Sequence, residues 1–583
     1  MRVMAGPGAG RVHGRRWRFA VVALALSTVL GGCAAARTDG VAPILVDSSG
    51  AAASYLAGRF AFERGDYRTA AELFREALEA DPNNVELARR LLRIELATGA
   101  FARARATARQ LADLAPGLAE VRLVLALDAL REGRFVEGAE RLAALPRAGT
   151  VGLVAPLLEA WARFAGEGPE SGLARLAAEE GRALLERLYA YQRAVMLVLA
   201  GRLDAAQDLI ASRLADFEEE PLARQLVQLQ AAIWQRSGEE ERARTLVARQ
   251  RELVPDDERL ARLEAQLAAG EPVPLPFSDA VGGMVEALVG IARAMREQDL
   301  REPAELFAGL AALLREDAGE AWLLLARLAA DRGDAEGALS LVARIGGESP
   351  VGWQARLLRA EALVAAGRKR EAIALLRRMA RERPDRVDAL VALGDLYRRD
   401  ENYREAERAY REALARIGEP RKPHWRLLYA HGITLERLGR WPEAEKRFLE
   451  ALAFVPDQPF VLNYLGYSWV DMGINLERAR EMLELAVELR PHDGFIVDSL
   501  GWAYFRLGDF ERAVELLERA VELEPGDPVI NDHLGDAYWQ VGRFREARFQ
   551  WERALALDPD PELAESIRNK LTSGYADAGS DRG

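Results

Sequence analysis

A 34-residue period in the last third of the chain constrains its fold more than any other feature. Three segments, opening at Pro459, Gly494 and Pro528, align without forcing. Leu465-Gly466, Leu500-Gly501 and Leu534-Gly535 mark one shared point. Trp469, Tyr504 and Tyr538 mark the next, then Ala479, Ala513 and Ala547, and finally Pro491, Pro525 and Pro559. The first segment carries one extra residue near Ile474. A fixed period of this length implies a supersecondary unit that cannot hide its apolar face alone and has to stack on its neighbours.

Within the unit from Gly494, Val497, Leu500, Gly501 and Tyr504 recur at the spacing of one helical face, and Gly508 supplies a stop. A second helix follows with Ala513, Leu517 and Ala520 inward, and Pro525 forbids its continuation. Gly501 and Ala513 are small, which suits the closest crossing of the pair. This pattern resembles the tetratricopeptide repeat, and the resemblance implies an all-α, right-handed superhelical solenoid of helical hairpins. It extends upstream through units at Trp425, Val387, Trp353 and Gly319, and is good again from Ala51, with successors at Val85 and Ala119. Between Gly149 and Asp279 only units around Arg187 and Arg224 can be placed.

The first 33 residues read as an address. Arg2, Arg11, Arg15, Arg16 and Arg18 precede an apolar run, Phe19 to Leu30, too short for a stable span. The run ends in Leu30-Gly31-Gly32-Cys33, which resembles a bacterial lipobox and implies lipidation of Cys33. Cys33 is the only cysteine, so no disulfide can form and the fold rests on packing. Ala34 after it, by resemblance to enterobacterial lipoproteins, favours the outer membrane. Loss of the five arginines takes the formal charge from −12 to −17, a poor match for nucleic acid or anionic lipid.

The expected organisation is a signal over 1–32, a lipidated N-terminus and tether over 33–50, and an N-terminal array over 51–270, degenerate within 149–270. A proline-rich joint over 271–277 (Glu-Pro-Val-Pro-Leu-Pro-Phe) then leads to a C-terminal array over 278–572 and a disordered tail over 573–583.

Nothing in the sequence points to catalysis. His424 and His431 are seven apart but have no cysteine or second ligand pair beside them, and His492 and His533 lack any nucleophile spacing. The carboxylates sit at ion-pair spacing with arginines on helix surfaces. The expectation is a non-enzyme without metal or cofactor, holding other proteins.

In tetratricopeptide arrays the first helix of each hairpin lines the concave face through its second, fifth, ninth, twelfth and thirteenth positions. Carried onto the last three units, that resemblance selects Phe460, Asn463, Tyr467, Val470 and Asp471, then Phe495, Asp498, Trp502, Phe505 and Arg506, then Val529, Asp532, Asp536, Trp539 and Gln540. Asn463, Tyr467, Asp498, Trp502, Phe505, Asp532, Asp536 and Trp539 form the expected acidic, aromatic groove, suited to extended or basic segments. The alternative at Trp502 and Trp539 is packing between repeats.

The lipobox, the long array and the C-terminal block together resemble the LbcA-type outer-membrane lipoproteins of proteobacteria. That resemblance implies an adaptor partnering a periplasmic carboxyl-terminal processing protease and bringing substrates to it. The rivals are an assembly lipoprotein for outer-membrane proteins or pili, and a scaffold for polysaccharide export or the cell wall.

Overall fold

A computed structural model describes residues 50–179, 186–213, 224–254 and 257–575. Among these lie thirty α-helices, from α1 (Ala51–Glu63) to α30 (Pro561–Ser573), one short 3-10 turn and no strand. Cys33 and the expected signal over 1–32 lie outside the described residues. The helices pair as antiparallel hairpins, as the repeat requires.

One contact recurs in five of the hairpins. Gly58, Gly394, Gly432, Gly501 and Gly535, all on first helices, face Phe74, Tyr410, Phe448, Leu517 and Trp551, each sixteen residues further on. A Cβ at any of these glycines would lie 2.4–2.7 Å from that side chain. The five partners are fully buried, so the absent side chain is the socket into which the second helix plugs. Helix starts are fixed by side-chain caps: Asp493 accepts from the Ile496 amide, and Asp527 from those of Val529 and Ile530. Gly508 ends α26 (Gly494–Leu507) in the left-handed region, at φ 84°.

The described chain divides into two compact units, residues 50–375 and 376–575. The boundary falls inside α19 (Lys369–Glu382), which corrects the expected joint at 271–277. That segment is extended, but both its flanks belong to the first unit, and side chains pin it there. The Val273 amide donates to Gln235 Oε1 at 2.7 Å, Gln228 donates to the Pro274 carbonyl at 2.9 Å, and Phe277 meets Trp161 edge-on at 5.4 Å.

The first unit closes on itself. Its first-helix faces, on α3 (Val85–Ala97), α5 (Ala119–Arg131) and α7 (Gly149–Gly166), are packed by α14 (Ala280–Glu297) and α15 (Arg301–Leu314). Every residue from Ala304 to Leu314 is buried. Gly309 sits against the Leu96 backbone, and Gly283 against the Trp161 ring. Tyr67 Oη donates to Glu305 at 3.0 Å, while the Arg332 guanidinium lies 3.6 Å from the Tyr67 ring and donates to the Gly65 carbonyl. The concave interior that a solenoid usually leaves open is here filled by the chain's own helices.

Candidate functional site

The residues expected to line a groove lie in the second unit. Its first helices are α20 (Asp388–Arg399), α22 (Trp425–Arg437), α24 (Pro459–Asp471), α26 and α28 (Pro528–Gln540). On α24, Asn463 is buried with its side-chain carbonyl unbonded, and the half-buried Tyr467 lies one turn on. The Tyr467 hydroxyl makes no hydrogen bond among the described residues. Burial, and then the Asp498 and Asp471 carboxylates, hold it well above the usual tyrosine range.

From Tyr467 the strip runs into α26 and α28. His533 Nδ1 lies 2.9 Å from Asp498 Oδ1 and 3.2 Å from Oδ2. Its ring stacks on Trp502 with centroids 4.1 Å apart, and Trp502 stacks in turn on Phe505 at 4.6 Å. Burial opposes a charge on His533, but Asp498, backed by Asp532 and Asp536, raises its pKa overall. Trp502 is thus largely a packing residue, sandwiched between two rings.

The expectation of an open acidic face at Asp532 and Asp536 is corrected by α30. Lys570 Nζ donates to Asp532 Oδ1 and Oδ2 at 2.9 and 2.7 Å and to Asp536 Oδ2 at 2.7 Å. Asp536 also accepts from Trp551 Nε1 at 2.9 Å. Burial, then the neighbouring Asp532, raises the Asp536 carboxyl to about 7, against the pull of Lys570. Trp539 packs on Phe544 and Trp551, at 4.6 and 5.4 Å, and Gly574 covers its ring. The tail expected to be disordered from Ser573 therefore begins as ordered chain: α30 includes Ser573, and Tyr575 meets Phe505 edge-on at 5.6 Å.

The structure thus joins Tyr467, Asp498, Trp502 and Phe505 in one strip, and places Asp532, Asp536 and Trp539 under the C-terminal segment. The repeat pattern could not supply His533, Lys570 and Tyr575 as members of the site. A usable signal existed for one of them: Lys570 is one of only four lysines in the chain. Among the described residues no cluster of three or more His, Cys, Asp or Glu could hold a metal, and no helix is long and apolar enough to cross a membrane.

Two family models, both described as tetratricopeptide repeat, match the chain, one over 61–127, 329–394 and 504–571, the other over 391–459 and 475–528. Together they cover about half of it, and the chain belongs to the tetratricopeptide-repeat proteins. It is 30% identical over 185 residues to the TPR repeat-containing protein PA4667 of Pseudomonas aeruginosa, a match spanning 32% of this chain and 30% of that one. Similar solved structures include Cut9 of the APC/C hetero-tetramer Cut9-Hcn1, at 14% identity and TM-score 0.39 over 91% of this chain and 97% of that one. Yeast Tom70 matches at 14% identity and TM-score 0.28, over 90% and 95% of the two chains. Repeats of this family make an interaction scaffold for proteins or peptides.

Proposed function

We propose that this chain is a non-catalytic adaptor that holds other proteins along the concave face of α22, α24 and α26. One observation carries the choice of face. The interior of the first unit is filled by α14 and α15, whereas α24 keeps a buried, unbonded Asn463 carbonyl beside an unbonded Tyr467 hydroxyl. Asn463 is sealed from solvent, whereas the Tyr467 hydroxyl beside it has no partner and is open to donate to, or accept from, a docked segment.

The signal-like start and the LbcA-type resemblance support anchoring at the outer membrane through Cys33, facing the periplasm, with a processing protease and its substrates as cargo. Fractionation tests the anchor: Cys33→Ser should leave an unprocessed precursor or a soluble species, and unchanged palmitate labelling of the mutant would exclude lipidation at this residue. Capture from solubilised envelope tests the groove. Asn463→Ala with Tyr467→Ala should lose the partners that wild type recovers, with the circular dichroism of wild type. Loss of a desolvated aromatic anchor costs about 2 kcal/mol or more, roughly thirtyfold in affinity. Equal recovery by the folded double variant would rule this face out.

A further inference from the structure

The carboxylates on the concave positions of the second unit are already engaged, and the groups left open there are donors. On α26 and α28, Asp498 faces His533, and Asp532 and Asp536 share Lys570. On α20, Asp388 accepts from Arg386 at 2.6 Å, and Asp395 from Tyr410 Oη at 2.6 Å. On α22, Glu436 accepts from Tyr464 Oη at 3.1 Å. The guanidiniums beside these acids are less well served. The last groove position of α20 and of α22, twelve residues after Val387 and Trp425, holds Arg399 and Arg437. Arg399 is exposed and makes no hydrogen bond or ion pair among the described residues. The Arg437 side chain is 21% exposed, yet its Nε is sealed from water without a hydrogen-bond partner. Glu436 stands 3.6 Å from that nitrogen, too far to accept from it.

Two further donors join them. Arg398 lies 3.8 Å from Asp395 and reaches the Tyr410 hydroxyl only at 3.4 Å. Tyr429 of α22 has a hydroxyl without a hydrogen bond among the described residues. Burial holds that hydroxyl above the ordinary tyrosine range while the Arg398 charge pulls it down, so the two lie close. A guanidinium donates and cannot accept, so the group that satisfies this end of the face is an acceptor. A carboxylate is the acceptor whose two oxygens match the guanidinium fork. The spacing adds a second condition. α20 and α22 pack as neighbours, and helix axes about 8–10 Å apart correspond to about three residues of extended chain. One carboxylate cannot sit at both arginines, but two acidic side chains on one strand can.

We propose that the segment docked on the second unit is acidic, with two carboxylate side chains two or three residues apart, one at Arg398 and Arg399 and the other at Arg437, and with its neighbouring residues reaching Tyr467. This rests on the reading of the concave face as the docking surface and extends that face onto α20. It reverses the preference for basic segments expected from Asp498, Asp532 and Asp536, because those three acids are satisfied from within the chain.

A random dodecapeptide library displayed on phage and panned against the full chain reads this preference directly. Recovered sequences should be enriched in pairs of Asp or Glu two or three positions apart. The most enriched of them, made as a fluorescent peptide and followed by anisotropy, should lose about tenfold or more of its affinity for Arg399→Gln with Arg437→Gln. The same peptide with its two carboxylates replaced by glutamine should be weakened on wild type by a similar factor, and should bind both receptors alike. That change is made in the peptide, so it stands even where the arginine variant lacks wild-type circular dichroism. Recovered sequences that are basic, neutral or no different from the unselected library overturn the proposal. So does a glutamine peptide that binds wild type as tightly as its acidic parent. Asn463→Ala with Tyr467→Ala separates the two readings. Acidic peptides that keep their affinity for that variant would remove docking at α24 and leave the acidic site. Peptides lost by that variant yet without acidic bias would leave the docking face and remove this inference.

Discussion

Replacing His431 by leucine is expected to stabilise the second unit, and by more as the pH falls. His431 on α22 is 3% exposed, and neither ring nitrogen has a hydrogen-bond partner among the described residues. The equivalent position in neighbouring units is Leu393, Leu465, Leu500 and Leu534. Leucine would restore the apolar stripe and remove an unsatisfied polar group, which is worth about 1–3 kcal/mol. The pH term adds to this. Burial, then the nearby Arg447 and Arg440, pushes the imidazole down to about 4, from an ordinary value of 6.5. A histidine depressed in this way binds its proton in the unfolded chain first, so wild type loses stability as pH falls from 6.5 towards 4. The shift corresponds to about 3 kcal/mol at the acid end of that window. Asp536, raised to about 7, has the opposite slope, but it is common to both proteins and cancels in their difference. Urea unfolding near neutral pH and near pH 4.5 reads the gap. Parallel stabilities at the two pH values would show that His431 can take its proton in the folded state.

Trp551→Ala should act in the other direction, by about 3–5 kcal/mol. Trp551 is fully buried, fills the socket left by Gly535, and donates to Asp536. Its removal empties the socket and takes a hydrogen bond from a buried carboxyl that already shares one lysine. Because repeat stability is close to a sum over neighbours, the loss should concentrate in α28 to α30. Hydrogen exchange resolved by peptide checks this. Equal loss of protection around Phe74, in the first unit, would contradict an array held together by nearest neighbours.

The sequence disclosed those parts of the fold in which each helix has one buried face. α26 and α27 (Phe510–Leu523) bury the stripes read from Val497, Leu500, Leu517 and Ala520, and Gly508 ends the first of them as its spacing required. Where helices are covered on two sides the periodicity disappears. α7 and α15 are buried almost all round because they pack on each other's neighbours as well as on their own hairpins, so their sequences read as plain apolar runs. The proline segment was legible as extended chain but not as an internal strap, since its restraint comes from the glutamines Gln228 and Gln235, distant in sequence. The groove was legible as a set of positions on three helices. The cover over its C-terminal end was not, because Lys570 and Tyr575 make their contacts 38 and 70 residues back, at Asp532 and Phe505.

Partners are expected to dock at α24. A photo-reactive residue in place of Tyr467, in the full chain within intact envelopes, measures this at the site itself. Adducts should form from position 467 and be absent from the exposed Glu481 on α25 (Leu476–Leu489). They should also weaken when Asn463→Ala is added. Adducts from 481 with none from 467 would contradict the account, because the partner would then be held on the outer helices and the groove would serve only to pack the chain's own end.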